Sequence, residues 1–205
     1  MIKLINDDCM NVLKDYDDNY FDLAIVDPPY KDQKEQNPTQ HMRKKALNSN
    51  MRDFGNKPDK FYFDELFRVS KNQIIWGGNY FLENLYSSSG IICWNKYQPF
   101  ENFSDFELAW TSFTCIAKMF NMSIKEGSKT EKIHPTEKPI KLYDWLLHNY
   151  AKKGQKILDT HLGSGSIGVA CYNFDVDLVG IEINEYYFKK AKERIDNMTL
   201  QIRMF

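Results

Sequence analysis

Seven short strand-like runs, none longer than five residues, alternate along the chain with stretches of helical period, and no other feature limits the fold so sharply. The runs are Ile2–Ile5, Leu23–Val26, Gln73–Trp76, Ile91–Trp94, Glu107–Thr111, Lys156–Leu158 and Leu178–Ile181. Between them, Asp7 or Asp8 can cap a helix carrying Met10 and Leu13, and Phe63, Leu66 and Phe67 recur at i, i+3, i+4. A helix starting near Pro139 carries Leu142, Trp145 and Leu146, and "AKKG" stops it with Gly154 as the expected C-cap. "GVACY" begins another, and Asn184 caps a last one with Tyr187, Phe188, Ala191 and Ile195 on one face. The tail "MTLQIRMF" reads as a final edge strand. Such alternation predicts an α/β chain with a mostly parallel sheet and helices on both faces.

With 205 residues the chain suits one domain, and its 42% apolar and 27% charged composition is that of a globular protein. No apolar run approaches the roughly 18 residues of a membrane span, and "MIKLINDDC" lacks the apolar stretch of a signal peptide. Cys9, Cys93, Cys115 and Cys171 form no CxxC pair, and His41, His134, His148 and His161 show no ligand spacing. Reduced thiols in a cytoplasmic protein, with no metal site, are therefore expected. Net charge is −1, yet residues 31–60 carry eight Lys/Arg against four Asp/Glu, and residues 125–156 repeat that count. Two local excesses of +4 can supply a phosphate-facing stripe on a neutral protein.

Two strands end in unusual chemistry. Leu23–Val26 runs into "DPPY", which presents an acid on a backbone stiffened by two prolines, with a phenol behind it. Lys156–Leu158 runs into "DTHLGSGSIG", where Gly163, Gly165 and Gly168 match G-x-G-x-x-G. Glycines let the backbone turn sharply and approach a ligand, although such a turn also serves as a bare strand–helix connection. Glu182 ends the next strand, 19 residues after Gly163, where an acid grips ribose hydroxyls in nucleotide-binding folds. Asp159 beside the turn would repel a pyrophosphate but suits a cofactor bearing an ammonium and a sulfonium, which S-adenosylmethionine does.

Together the two motifs resemble the amino-methyltransferases of DNA, the N6-adenine/N4-cytosine family. D-P-P-Y is that family's catalytic signature, and a chance match in a chain this size is on the order of one in a thousand. D-x-x-x-G-x-G followed by an acid at the next strand end is its cofactor signature. "HPTEKP", His134 to Pro139, and "GIEINEYYFKKAKERI", Gly180 to Ile195, are similar to further family segments. The order, catalytic motif first and cofactor turn last, resembles the circularly permuted beta class. The resemblance covers roughly residues 2–30, 61–115 and 133–195. It implies a Rossmann-like S-adenosylmethionine-dependent methyltransferase fold, one domain over residues 1–205, with 31–60 a DNA-contacting loop and 95–135 a target-recognition region. The family's commonest turn reads D-P-F-x-G-S-G, whereas this chain has Thr160 and His161 in place of Pro and Phe.

The resemblance assigns catalysis to Asp27, Pro28, Pro29 and Tyr30. It assigns Asp8 to the adenine ring of the cofactor and Lys138 to its carboxylate. His134, Asp159, Gly163, Ser164, Gly165, Ser166, Glu182 and Ile183 complete the expected cofactor set. An exocyclic amine is a poor nucleophile because its lone pair is delocalised into the ring. Hydrogen bonds accepted by the Asp27 carboxylate and the Pro28 carbonyl would localise that lone pair for in-line attack, and Tyr30 can stack on the base. Aspartate at the first position favours adenine N6, since cytosine-N4 members more often carry serine there. Cytosine-N4 methylation, methylation of RNA or a protein amide, and a catalytically silent DNA- or nucleotide-binding module are the rival readings. "WGGNYF", Trp76 to Phe81, is expected to wall the pocket and "WNK", Trp94 to Lys96, to lie on the DNA side. The implied partner is double-stranded DNA, with a homodimer and a cognate restriction endonuclease left open, in the cytoplasm of a prokaryotic or phage-infected cell.

Overall fold

The computed structural model describes residues 1–31, 56–98, 101, 104–123, 133–134 and 136–203, without the side chains of 199 and 201–203. Most of the expected 31–60 loop and residues 124–132 of the expected 95–135 region lie outside the described residues.

In chain order the elements are β1 (Ile2–Ile5), α1 (Cys9–Leu13), β2 (Leu23–Val26), α2 (Lys60–Val69), β3 (Gln73–Trp76), β4 (Ile91–Asn95), β5 (Phe106–Thr111) and β6 (Lys118–Asn121). After these come α3 (Ile140–Tyr150), β7 (Lys156–Asp159), α4 (Ser166–Phe174), β8 (Asp177–Ile181) and α5 (Glu185–Arg203). The eight strands form one sheet in the order β1-β8-β7-β2-β3-β5-β4-β6. Only β5 runs against its neighbours, antiparallel to both β3 and β4.

The continuous apolar run of β2 is explained by burial on both faces. Leu23 and Ile25 point into a core built with α3 and α4, through Leu142, Leu146, Ile167 and Ala170. Ala24 and Val26 point the other way, against Val12 and Leu13 of α1 and Phe63, Leu66 and Val69 of α2. Each such buried aliphatic side chain contributes about 1.5–3 kcal/mol.

β2 and β7, distant in sequence, are hydrogen-bonded neighbours, with Ala24 opposite Leu158. From β2 the sheet continues to β3 on one side, and from β7 to β8 on the other. The strand order thus reverses between β2 and β7, which opens a crevice beyond their carboxyl ends. Both unusual motifs begin there.

Helices α1, α2 and α5 start where their caps stand. Asp8 accepts from the Met10 N–H at 2.8 Å, Asp59 from the Tyr62 N–H at 3.1 Å and Asn184 from the Tyr186 N–H at 3.0 Å. Three local expectations are corrected. Helix α3 is capped by Ala151 and not by Gly154, which forms the next turn at φ +77° and donates its N–H to the Asp175 carbonyl. The tail is no edge strand, because α5 continues through it to Arg203. Each residue added to an existing helix gains a hydrogen bond without a new nucleation cost. Strand β6 was not anticipated, since "KMFN" offers only two apolar residues; it is an edge strand whose Phe120 packs on Trp145 at 5.6 Å.

Candidate active site

The ends of β2 and β7, the start of α1 and the "HPTEKP" segment enclose a cavity of about 660 Å³. Its walls include Asp27, Pro28, Pro29 and Tyr30 together with Asp8, His134, Lys138, Gly163, Ser164, Glu182 and Ile183. Eleven of the fourteen expected site residues therefore share one space of the size small-ligand sites have. Asp159, Gly165 and Ser166 are buried and do not line it.

Asp27 is held from two sides. The Tyr30 hydroxyl donates to its Oδ1 at 2.7 Å, and the Lys138 ammonium donates to its Oδ2. Burial, then the adjoining Asp27 carboxylate, pushes the Tyr30 phenol well above its ordinary range, so it remains a donor. Its ring stacks on Tyr80 at 4.8 Å and 13°. A side chain on Gly77, at φ +68°, would strike the Tyr30 ring, so that glycine of "WGGNYF" is required by close approach.

Lys138 is 4% exposed and also pairs with Glu107 Oε2 at 3.2 Å, while its Nζ lies 5.2 Å from the Trp76 ring centroid. Burial works against the ammonium, but the two carboxylates outweigh it and raise its pKa above the ordinary lysine value. A buried cation needs this compensation. On the far side of Glu107, Lys96 donates to Oε1 at 3.2 Å. Burial pushes Glu107 up, but Lys138 and Lys96 prevail and hold it below the usual carboxylate range. Thus the lysine of "WNK" is spent on an internal bond, and Trp94 is core, donating its Nε1–H to the Met122 carbonyl at 3.0 Å.

Glu107 is the site residue that sequence reasoning missed. In a parallel sheet the ligand lies beyond strand ends, so attention falls on where each strand finishes. Because β5 is antiparallel, it contributes its beginning, and Glu107 pairs in register with Trp94 near the end of β4.

The glycine turn divides its labour. A Cβ on Gly165 would lie 2.9 Å from Ala191 Cβ, and one on Gly168 2.3 Å from Ile195 Cδ1, so these two glycines let α5 pack close. Gly163, at φ +53°, faces the cavity, and its would-be Cβ meets only the His134 ring at 3.7 Å. Glu182 fastens the turn, accepting from the Gly163 N–H at 2.8 Å and from the Asn184 N–H at 2.9 Å. Arg194 ties the same turn to the "HPTEKP" segment, pairing with Glu137 at 2.9 Å and donating to the Ser164 carbonyl at 3.3 Å. His134 sits edge-on to Tyr187 at 4.4 Å, and burial and Lys138 lower its pKa to about 4, leaving a neutral ring.

A family model described as DNA methylase matches residues 14–193. The chain belongs to the DNA methylase family. Among its relatives, the type II methyltransferase M2.MboI of Moraxella bovis is 24% identical over 93% of this chain and 86% of its own length. The type II methyltransferase M.HpaI of Haemophilus parainfluenzae is 37% identical over 70 residues, 34% of this chain. That match spans about a fifth of M.HpaI, 22% of its length. The crystal structure of an M1.HpyAVI–SAM complex superposes with a TM-score of 0.66 at 20% identity, over 96% of this chain and 100% of that one. At that identity the likeness speaks for the fold, an α/β methyltransferase fold with a mostly parallel sheet.

Asp159 is 2% exposed and its Oδ1 accepts from the His161 N–H at 3.0 Å. Burial raises its pKa to about 8, helped by Asp27 and Glu182 and opposed by that N–H and by Lys138. The folded protein therefore holds a proton that the unfolded chain releases near pH 4. The associated stability is full below that pH and is lost as pH rises toward 8, at up to about 1.4 kcal/mol per unit. Asp159→Asn, which keeps the oxygen acceptor, is expected to remove this slope. Its melting temperature should gain on the wild type steadily from pH 5 to pH 8, and parallel profiles would show that Asp159 titrates normally.

Proposed function

We propose that the chain is a site-specific DNA adenine-N6 methyltransferase acting on an adenine flipped out of double-stranded DNA, with S-adenosylmethionine as donor. The observation that carries this reading is the shared cavity, in which "DPPY" and the glycine turn face each other because β2 and β7 are neighbours.

The cavity wall suits the cofactor's charge. Seven carboxylate side chains line it against two lysines, an excess that favours a ligand bearing an ammonium and a sulfonium. Glu182, which holds Gly163, is assigned to the ribose hydroxyls, and Asp8, which caps α1, to the adenine edge. When bound, S-adenosylmethionine supplies an electrophilic methyl group. Asp27 and the Pro28 carbonyl would accept the two amine hydrogens and localise the nitrogen lone pair. Tyr30 and Lys138 keep the carboxylate aimed before substrate arrives, so little reorganisation remains at the moment of reaction. Since Lys138 already serves Asp27 and Glu107, its role is better read as orienting the catalytic acid than as gripping the cofactor carboxylate alone. Flipping costs a few kcal/mol of unstacking, which contacts to the DNA must offset. Residues 31–60 and 95–135 are our candidates for those contacts.

Aspartate at position 27 supports adenine over cytosine. Incubation of unmethylated DNA with the protein and labelled cofactor, followed by nucleoside analysis, should yield 6-methyladenine. Recovery of 4-methylcytosine alone would replace the adenine reading with the cytosine-N4 one. Absence of both products, with cofactor binding retained, would favour a silent binding module.

A further inference from the structure

His161 replaces the phenylalanine common at this place in the family's turn, and the structure gives it two partners a phenylalanine could not have. The Tyr62 hydroxyl lies 2.7 Å from Thr160 Oγ1, and Thr160 Oγ1 lies 2.9 Å from His161 Nδ1. Tyr62 and Thr160 are each 3% exposed, and His161 lines the cavity with its ring edge-on to Tyr62 at 5.6 Å. We propose that Tyr62 and Thr160 lock His161 in one tautomer, so that its Nε2–H is presented to the cavity as a fixed donor for a neutral acceptor on the adenosyl part of the cofactor.

Proton counting selects the direction. The three groups carry one mobile hydrogen each. If Tyr62 donates to Thr160 and Thr160 donates to Nδ1, both hydroxyl hydrogens are used and the imidazole proton resides on Nε2. If Nδ1 carries the proton instead, it donates to Thr160, and one of the two buried hydroxyls loses its partner. Leaving a buried donor unpaired costs more than leaving a lone pair unused. Burial also keeps the ring neutral, with a pKa lowered to about 4, so the second nitrogen is a donor by tautomer and not by charge.

The free nitrogen is accessible. Among the described residues Nε2 has no hydrogen-bond partner, yet it is not one of their buried side-chain atoms left unsatisfied. It therefore opens on the cavity. The class of acceptor follows from its surroundings. Asp8 is close enough to influence the imidazole electrostatically, and a ligand carboxylate placed beside Asp8 would be repelled. A cationic ammonium or sulfonium has nothing to offer an N–H donor. What remains is an uncharged acceptor, a ring nitrogen or a ribose oxygen. This role is one of binding and orientation. It rests on the cavity being the cofactor site, while the tautomer itself does not.

The tautomer is read by ¹⁵N-histidine NMR on the ligand-free protein, with the signal assigned through His161→Phe. The expected signature is protonated Nε2 and bare Nδ1 in the wild type, moving toward a mixture in Thr160→Val. A protonated Nδ1 in the wild type overturns the proposal. Calorimetric titration with S-adenosylmethionine, S-adenosylhomocysteine and methylthioadenosine then tests the contact. His161→Phe should weaken all three by about three- to tenfold, the share of one ordinary hydrogen bond. Unchanged affinities, or a loss confined to the two ligands with an amino-acid tail, overturn the proposal alone. If the wild type binds none of the three, the cofactor reading fails and takes the contact with it.

Discussion

Asp27→Ala is expected to lower kcat by about a hundredfold to a thousandfold while leaving cofactor affinity nearly intact. Removal of one preorganised group that acts on the developing charge costs about that much. The variant loses the carboxylate that Tyr30 and Lys138 together aim, and with it one of the two bonds proposed to make the amine nucleophilic. The Gly163 turn is held independently of Asp27, since Glu182 fastens it by its own two bonds. Glu182→Ala should show the converse pattern. Two hydrogen bonds to a charged acceptor, each worth about 1.5–3 kcal/mol, disappear from the turn, and cofactor Kd should rise about ten- to a hundredfold. Turnover at saturating cofactor should suffer much less. Titration calorimetry and steady-state methylation assays on both variants would separate the two patterns. An Asp27→Ala protein that turns over normally but binds cofactor poorly would contradict the assigned roles.

Lys138→Met should cost about 3–5 kcal/mol of unfolding free energy, the usual penalty for removing one partner of a buried ion pair. The methionine fills the space but leaves Asp27 and Glu107 facing each other without a cation. Lys96 reaches only the other oxygen of Glu107. Glu107→Gln in the same chain should recover much of the loss by removing one of the two charges. The pH dependence gives the sign. In the wild type the lysine pKa is raised, so its contribution is present throughout the neutral range and is lost only in strong alkali. In the variant, Glu107 loses Lys138, the stronger of the two ammonium influences that overcome its burial, so its pKa rises and acid should restore stability between pH 8 and pH 5. Urea unfolding across that range is the measurement. A variant within about 1 kcal/mol of the wild type at pH 8 would show that the pair is solvated and structurally idle.

Much of this site is legible in the chain before any coordinates. Asp27 and Glu182 announce themselves because a parallel strand delivers its last residue to the ligand edge, and a run such as "LAIVDPPY" marks that edge by the abrupt change from apolar to polar. Periodicity likewise sets the α/β class, and Asp8 and Asn184 reveal helix starts because capping is a local bond. These are properties of neighbours along the backbone. The rest depends on partners distant in sequence. That β2 lies beside β7, that Lys138 reaches back 111 residues to Asp27, and that Gly165 and Gly168 serve the packing of α5 follow from sheet order and not from any nearby residue. Glu107 stayed hidden because strand direction carries no mark in composition, so whether a strand brings its first or last residue to the site appears only once the strand is paired. His161 shows the same division, since the ring is visible in the sequence while its tautomer is set by Tyr62, 99 residues earlier, through a hydroxyl whose hydrogen must go somewhere.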